Sequence, residues 1–298
     1  AGKPYHKKLK NGETVRVMTG SVIPDNTDAI VMREMVDIND GIITFNKNIQ
    51  KNQNIRFTGE DVKKNQIIFK KYDQLTHSRV AILASLGIKN ITVFKKPIIS
   101  FFSTGDELIS IHKKLQKGQI YDSNRYLLRG MLEKLPVTIK DAGVVVDNEN
   151  KIINKLKSLS IKSDLIITTG GVSVGDADYI RDALKKIGAI NFWKISIKPG
   201  RPLAFGKIRG CYFFGLPGNP VSTAVTFDLF VRPALEKMLS LKNRENITLK
   251  AILTEDVKKK KGRVEYKRGI FYKNKGQINL QEFLKIVWNK NYINFEKS

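Results

Sequence analysis

The chain has 298 residues, 41% of them hydrophobic, one cysteine and a formal net charge of +25. That length allows two or three domains with at least one sizeable core, and the composition excludes a disordered chain. A lone Cys211 excludes an intrachain disulfide and makes a reducing cytoplasm the default compartment, and no apolar stretch approaches a membrane span.

The lysines are scattered and accompany many Asn and Ile residues, the pattern an A+T-rich coding sequence produces. With no RNA-recognition aromatic motif and no zinc-ligand spacing, a nucleic-acid partner is the minority reading. The charge still draws in anionic small molecules. The N-terminus carries neither an initiating Met nor the apolar core of a signal peptide, so the chain is expected to begin inside a longer protein.

In chain order, residues 1–73 read as a β-rich domain, with short β-type runs at 14–18, 29–32, 41–45 and 66–70 and a turn cluster at 21–27. Arg56-Phe-Thr-Gly-Glu-Asp is a polar turn with two adjacent carboxylates. Residues 74–95 form a helical connector whose helix ends at Gly87, with His77 near its start as a surface or capping residue.

From residue 96 to 240, strands and helices alternate. Such alternation predicts a mostly parallel sheet covered on both faces. The run at 97–102 leads into Ser103-Thr-Gly-Asp-Glu. Leu127, Leu128, Met131, Leu132 and Leu135 share one helical face. The strand 144–146 ends at Asp147, and 152–159 is helical. Leu165 to Ile167 reads as a buried strand running into a loop with Gly170, Gly171 and Gly175, after which Asp176 or Asp178 caps a helix.

Strand, glycine loop and helix start is an arrangement that holds anions, because glycine lets the backbone approach and helix amides favour negative charge. The loop matches neither the dinucleotide nor the P-loop pattern, and a plain βα turn is the competing reading. Further on, Lys194, Ser196 and Lys198 alternate with Trp193, Ile195 and Ile197, and Lys198-Pro-Gly-Arg201-Pro fixes two cations on a stiff turn. Leu216-Pro-Gly-Asn-Pro is a strand running into a helix, with Asn219 as cap and Pro220 at the first helical position. Cys211 lies in a buried strand and reads as an inert thiol. Residues 246–298 return to short strands, including 263–271, as a shortened C-terminal β-rich domain.

Seven segments, in order, resemble the molybdopterin molybdenumtransferase family, the bacterial MoeA type and the C-terminal domain of gephyrin. They are Arg16-Val-Met-Thr-Gly-Ser-Val-Ile-Pro, Gly59-Glu-Asp, Ser103-Thr-Gly-Asp-Glu-Leu, Gln119-Ile-Tyr-Asp-Ser-Asn, Thr169-Gly-Gly-Val-Ser-Val-Gly-Asp-Ala-Asp-Tyr, Lys198-Pro-Gly-Arg-Pro and Leu216-Pro-Gly-Asn-Pro-Val-Ser. The resemblance implies an α/β molybdopterin-binding domain flanked by β-rich domains. It implies an enzyme that inserts molybdenum from molybdate into adenylylated molybdopterin and releases AMP, assisted by Mg2+. Asp61, Glu107, Asp147, Asp178, Lys194 and Lys198 would be catalytic. Thr19, Gly170, Gly171, Ser173, Arg201, Pro217, Gly218, Asn219, Ser222 and Arg268 would bind substrate, and Asp106, Glu107, Asp147 and Asp178 would hold the metal. Asp178 as a mere helix cap and Asp61 as a mere turn closer stay open.

The resemblance further implies a cytoplasmic homodimer, with Thr19 and Asp61 presented across its interface, and a molybdopterin adenylyltransferase as partner. The family's Met-Asp-Gly-Tyr-Ala-like stretch is not found, and the match fades after Gln277, as in a fragment or an eroded gene. Competing expectations are a non-catalytic pterin-binding or scaffold remnant and the adenylyltransferase branch.

Overall fold

The computed structural model describes residues 2–45, 48–172, 179–241, 251–254, 256, 262–274, 277–282 and 292–294. The chain divides into two compact units, Ala1–Lys70 and Lys71–Ser298. Among the described residues of the first unit, the one strand ladder is a hairpin of β1 (Asp37–Asn39) and β2 (Ile42–Thr44). Its turn residues Asp40 and Gly41 both take positive φ, 49° and 80°, which suits the twist of the strands they join. The runs at 14–18, 29–32 and 66–70 carry no strand, against expectation. Backbone groups there bond singly to loops: the Ile30 N–H donates to the Gln53 carbonyl at 2.9 Å, and Asn54 Nδ2 to the Ile30 carbonyl at 2.9 Å. Short apolar runs between closely spaced turns offer too few consecutive partners for a ladder.

The second unit opens with α1 (His77–Ser85), capped by the Thr76 hydroxyl, which accepts from the Arg79 N–H, and closed by Gly87 at φ 71°. β3 (Ile98–Thr104) follows, buried almost throughout. Next come a small parallel pair, β4 (Leu108–Ile109) and β5 (Ile120–Tyr121), then α2 (Asn124–Leu132), β6 (Thr138–Val145), α3 (Glu149–Ser160) and β7 (Leu165–Thr169). After the residues left undescribed stand α4 (Tyr179–Ile187), β8 (Ala189–Lys194), β9 (Ile197–Lys198), β10 (Pro202–Ile208) and β11 (Cys211–Leu216). α5 (Pro220–Thr226) passes through a π-helical turn into α6 (Arg232–Met238).

Six strands form one sheet in the order β6-β3-β7-β11-β10-β8. β6, β3, β7 and β11 pair in parallel, and β10 runs antiparallel to both its neighbours. Side chains alternate across a strand, so Phe101 and Phe102 enter opposite cores. Phe101 packs with Leu128, Leu132 and Phe227 beneath α2 and the α5–α6 rod. Phe102 packs with Ile152, Leu156, Ile180 and Leu184 beneath α3 and α4. Each of these fully buried side chains contributes about 1.5–3 kcal/mol of transfer free energy. The α2 face predicted from periodicity is the one that packs: Leu128, Met131 and Leu132 are buried, and Leu127 and Leu135 lie against them.

Cys211 is buried in β11, and burial first, then the charge of Asp164, pushes its thiol up to about 12. It is therefore a protonated core side chain at neutral pH. Past α6, β12 (Ile252–Leu253), β13 (Val264–Asn274), β14 (Gln277–Glu282) and β15 (Tyr292–Asn294) form a second sheet, which β13 joins to β9. No described helix is long and apolar enough to cross a membrane.

Candidate active site at the carboxyl rim of the sheet

Parallel strands deliver their carboxyl ends to one edge, and that edge is where loops of such sheets meet ligands. β3 ends there in Gly105-Asp106-Glu107, β6 in Val146-Asp147, β7 in Gly170-Gly171 and β11 in Pro217-Gly218-Asn219. β8 ends there at Lys194, directly opposite Pro202, where the antiparallel β10 begins.

The glycine loop is close-packed at its base. A Cβ on Gly170, at φ 78°, would fall on the Thr104 carbonyl oxygen. One on Gly171, at φ 63°, would stand 2.6 Å from Thr104 Oγ1 and 2.8 Å from Ile180 Cγ1. Only glycine fits both positions. The Gly170 N–H donates to the Leu216 carbonyl at 3.2 Å and joins the β7 loop to the end of β11, and a Cβ on Gly218 would stand 3.6 Å from Gly170 Cα. Asn124 Nδ2 donates to the Gly218 carbonyl at 2.7 Å and ties the start of α2 into the same corner. Below, Ser103 donates to the buried Asp122 and takes a hydrogen bond from Thr169. Thr104 Oγ1 is buried with no hydrogen-bond partner, a hydroxyl lying under the glycine loop.

Asn219 caps α5 as predicted, its Oδ1 accepting from Val221 N–H at 2.9 Å and Ser222 N–H at 3.3 Å. Pro217 is buried, and its carbonyl accepts from the Thr223 hydroxyl at 2.6 Å. The cation turn packs on this helix. The Lys198–Pro199 peptide is cis, and Gly200 at φ 104° lies so near Thr226 and Ser222 that a Cβ would stand 2.5 Å from Thr226 Cγ2. The Ile195 N–H donates to the Arg201 carbonyl at 3.0 Å and closes the turn's base, leaving Lys194, Lys198 and Arg201 exposed around it. Ser222 is buried in the first turn of α5.

The carboxylates meet at the other end of the rim. The Asp147 N–H donates to Asp106 Oδ1 at 3.0 Å, and the Glu107 carboxylate lies over Gly105, whose Cβ would come within 2.7 Å of it. Burial, then the charges of Asp106 and Glu107, raise the Asp147 carboxyl above the usual range. Asp147 Oδ1 is buried with no hydrogen-bond partner. A carboxylate such as that of Asp147, with one buried oxygen lacking a partner, is a hard donor that suits Mg2+, which binds through one or two carboxylates plus substrate phosphates. Among the described residues, no three His, Cys, Asp or Glu side chains gather closely enough to hold an ion by themselves.

The raised carboxyl has a stability consequence. A carboxyl whose folded-state pKa lies above its unfolded value destabilises the fold at neutral pH, and the penalty fades as pH falls through that value. Asp147→Asn is therefore expected to raise Tm at pH 7, with the gain shrinking as pH falls into the carboxylate range. Thermal unfolding at pH 7 and in that range checks this; an unchanged or lower Tm at pH 7 contradicts it.

Arg268 sits in β13 opposite Tyr292, three residues past Glu265 and so about 10 Å further along the strand. Thr19 and Asp61 belong to the first unit. Thr19 is in an exposed turn, and Asp61 pairs with Arg56 at 2.7 Å, both side chains exposed. Ser173 and Asp178 lie outside the described residues, as do Asp176 and Gly175. Thr104, Asp122 and Glu265 were not singled out from sequence. Thr104 and Asp122 stand inside quoted motifs, whereas Glu265 had no local signal.

An α/β domain with a glycine loop, a cationic turn and paired carboxylates on one sheet rim is built to hold a phosphorylated ligand. Residues 100–237 match the family described as a probable molybdopterin binding domain, and residues 1–87 match the MoeA N-terminal region, domains I and II. The chain is 45% identical over 284 residues to a molybdopterin molybdenumtransferase of Haemophilus influenzae, covering 94% of this chain and 70% of that protein. It is 35% identical over 260 residues to the Staphylococcus aureus protein of that name, covering 87% of this chain and 62% of that one. The structure superposes on a MoeA molybdopterin biosynthesis protein of Pyrococcus horikoshii with a TM-score of 0.74 at 32% identity, over 96% of this chain and 70% of that one. The chain belongs to the molybdopterin molybdenumtransferase family, transferases of molybdenum cofactor biosynthesis.

Proposed function

We propose that this chain inserts molybdenum from molybdate into adenylylated molybdopterin and releases AMP. The observation that carries the reading is the joint placement, on one rim, of the glycine loop bonded to the end of β11, the Lys198–Arg201 turn on α5, and the Asp106–Asp147 contact. Gly170 and Gly171 let the β7 loop lie close against Thr104, the loop's backbone would meet the pterin phosphate, and Asn219 holds the adjoining loop in shape. Lys194, Lys198 and Arg201 offer fixed cations to a tetrahedral dianion and to the negative charge that grows as the phosphoanhydride bond to AMP breaks. Ser222 and Arg268 would add donors from the flanks. Asp106, Glu107, Asp147 and Asp178 are the carboxylates from which Mg2+ would take its one or two protein ligands, and the ion would shield charge on the phosphate oxygens.

Thr19 and Asp61 would complete the site from the partner of a homodimer, and a molybdopterin adenylyltransferase would deliver the substrate. A single, buried, protonated thiol fits work in a reducing cytoplasm. The chain would be incubated with adenylylated molybdopterin, with and without molybdate and Mg2+. AMP release that requires both is the expected result. Pterin bound without AMP release would favour a scaffold, and AMP transfer from ATP to molybdopterin would favour the adenylyltransferase; either outcome overturns the proposal.

A further inference from the structure

We infer that Glu265, in the C-terminal sheet, is the positioning residue for Lys198 at the rim. The inference rests on the reading of that rim as an oxyanion site. β13 reaches the cation turn by parallel pairing with β9, placing Val264 beside Ile197 and Glu265 beside Lys198. The Val264 N–H donates to the Ser196 carbonyl at 3.1 Å and locks the register. Directly opposed residues of paired strands project to the same side, so the register itself brings carboxylate to ammonium. Lys198 Nζ donates to Glu265 Oε1 at 2.9 Å.

The asymmetry of the pair indicates its direction. The Glu265 side chain is 15% exposed and the Lys198 side chain 58%. Glu265 is thus the anchored partner and Lys198 the presented one. A lysine ammonium has three donors on a flexible stem, and its freedom must be lost before it can serve an oxyanion. One donor held by a largely covered acceptor removes that freedom in advance and leaves two for a ligand. The Pro199-Gly200 turn fixes the backbone of the lysine, and Glu265 fixes its far end.

Two variants separate positioning from charge. Gln keeps an acceptor at the same place without the carboxylate charge, and Ala removes both. In calorimetric titrations of the full chain with sodium molybdate, Glu265→Ala is expected to weaken binding about fivefold, and Glu265→Gln to bind within about twofold of the unchanged chain or more tightly. The loss with Ala should vanish when Lys198 is already Ala, because the effect travels through that ammonium. Thermal unfolding of each variant reports folding independently.

Glu265→Ala binding molybdate as well as or better than the unchanged chain would show that the carboxylate only competes with the anion, and would overturn the assignment. So would a loss of equal size in the Lys198→Ala background. If the unchanged chain bound no molybdate, the oxyanion reading itself would fail and this assignment with it. If molybdate bound and Lys198→Ala left its affinity unchanged, the lysine's role would fail, and the rim reading would stand on its other cations.

Discussion

Lys198→Ala is expected to weaken molybdate binding by about tenfold to a hundredfold, since a charge-assisted hydrogen bond contributes about 1.5–3 kcal/mol and each 1.4 kcal/mol is a factor of ten. Pterin binding should change much less, because the glycine loop and its bond to the end of β11 do not involve the lysine. Paired titrations with molybdate and with molybdopterin read the two effects separately. Equal losses for both ligands would deny Lys198 a specific role at the oxyanion. The lysine is suited to that role by its setting. Its backbone leads into a turn braced on α5, and its side chain is exposed.

The second large effect concerns the glycine loop itself. Gly170→Ala places a methyl group on the Thr104 carbonyl oxygen at a residue with φ of 78°. Left-handed backbone costs an alanine roughly 1–2 kcal/mol, and overpacking adds roughly 1–3. We expect a loss of about 3 kcal/mol and a Tm lower by roughly 6–12 °C, since each kcal/mol corresponds to about 2–4 °C in a chain of this size. Pterin affinity should fall with it, because the β7 loop can relieve the clash only by moving off Thr104. Gly210→Ala is the matched control: it too has positive φ, 87°, but its Cβ would meet nothing within 4 Å. It should cost about 1–2 kcal/mol, the backbone part alone. Similar losses for the two variants would show that the close approach to Thr104 carries no weight.

Much of the second unit was legible from residues alone, for physical reasons. A parallel strand buried on both faces reads as a continuous apolar run, and 97–102 and 165–167 are such runs. α2 and α3 announce themselves by apolar spacing, and α5 by Asn219 before Pro220. Once strands and helices alternate, the strand-end loops must share a rim, so Asp106, Asp147, Gly170 and Asn219 could be gathered before any coordinates. The pairing of Lys198 with Glu265 could not. Sixty-seven positions separate the two residues, and only the β9–β13 register joins them. Thr104 was legible as a motif residue, but not as a hydroxyl buried under Gly171, because that depends on how two loops stack. In the first unit, local β propensity without consecutive partners gave extended segments where strands were expected at 14–18, 29–32 and 66–70, and the run at 41–45 formed a strand by pairing with 37–39, which was not read from sequence, across a turn that favours the required geometry.

Hydrogen exchange on the full chain, with and without adenylylated molybdopterin plus molybdate, tests most directly whether loops from separate segments serve one ligand. Protection rising together at 104–107, 170–172, 198–201 and 217–222 is the predicted result. Protection confined to one of these loops, or appearing only away from the rim, would contradict it.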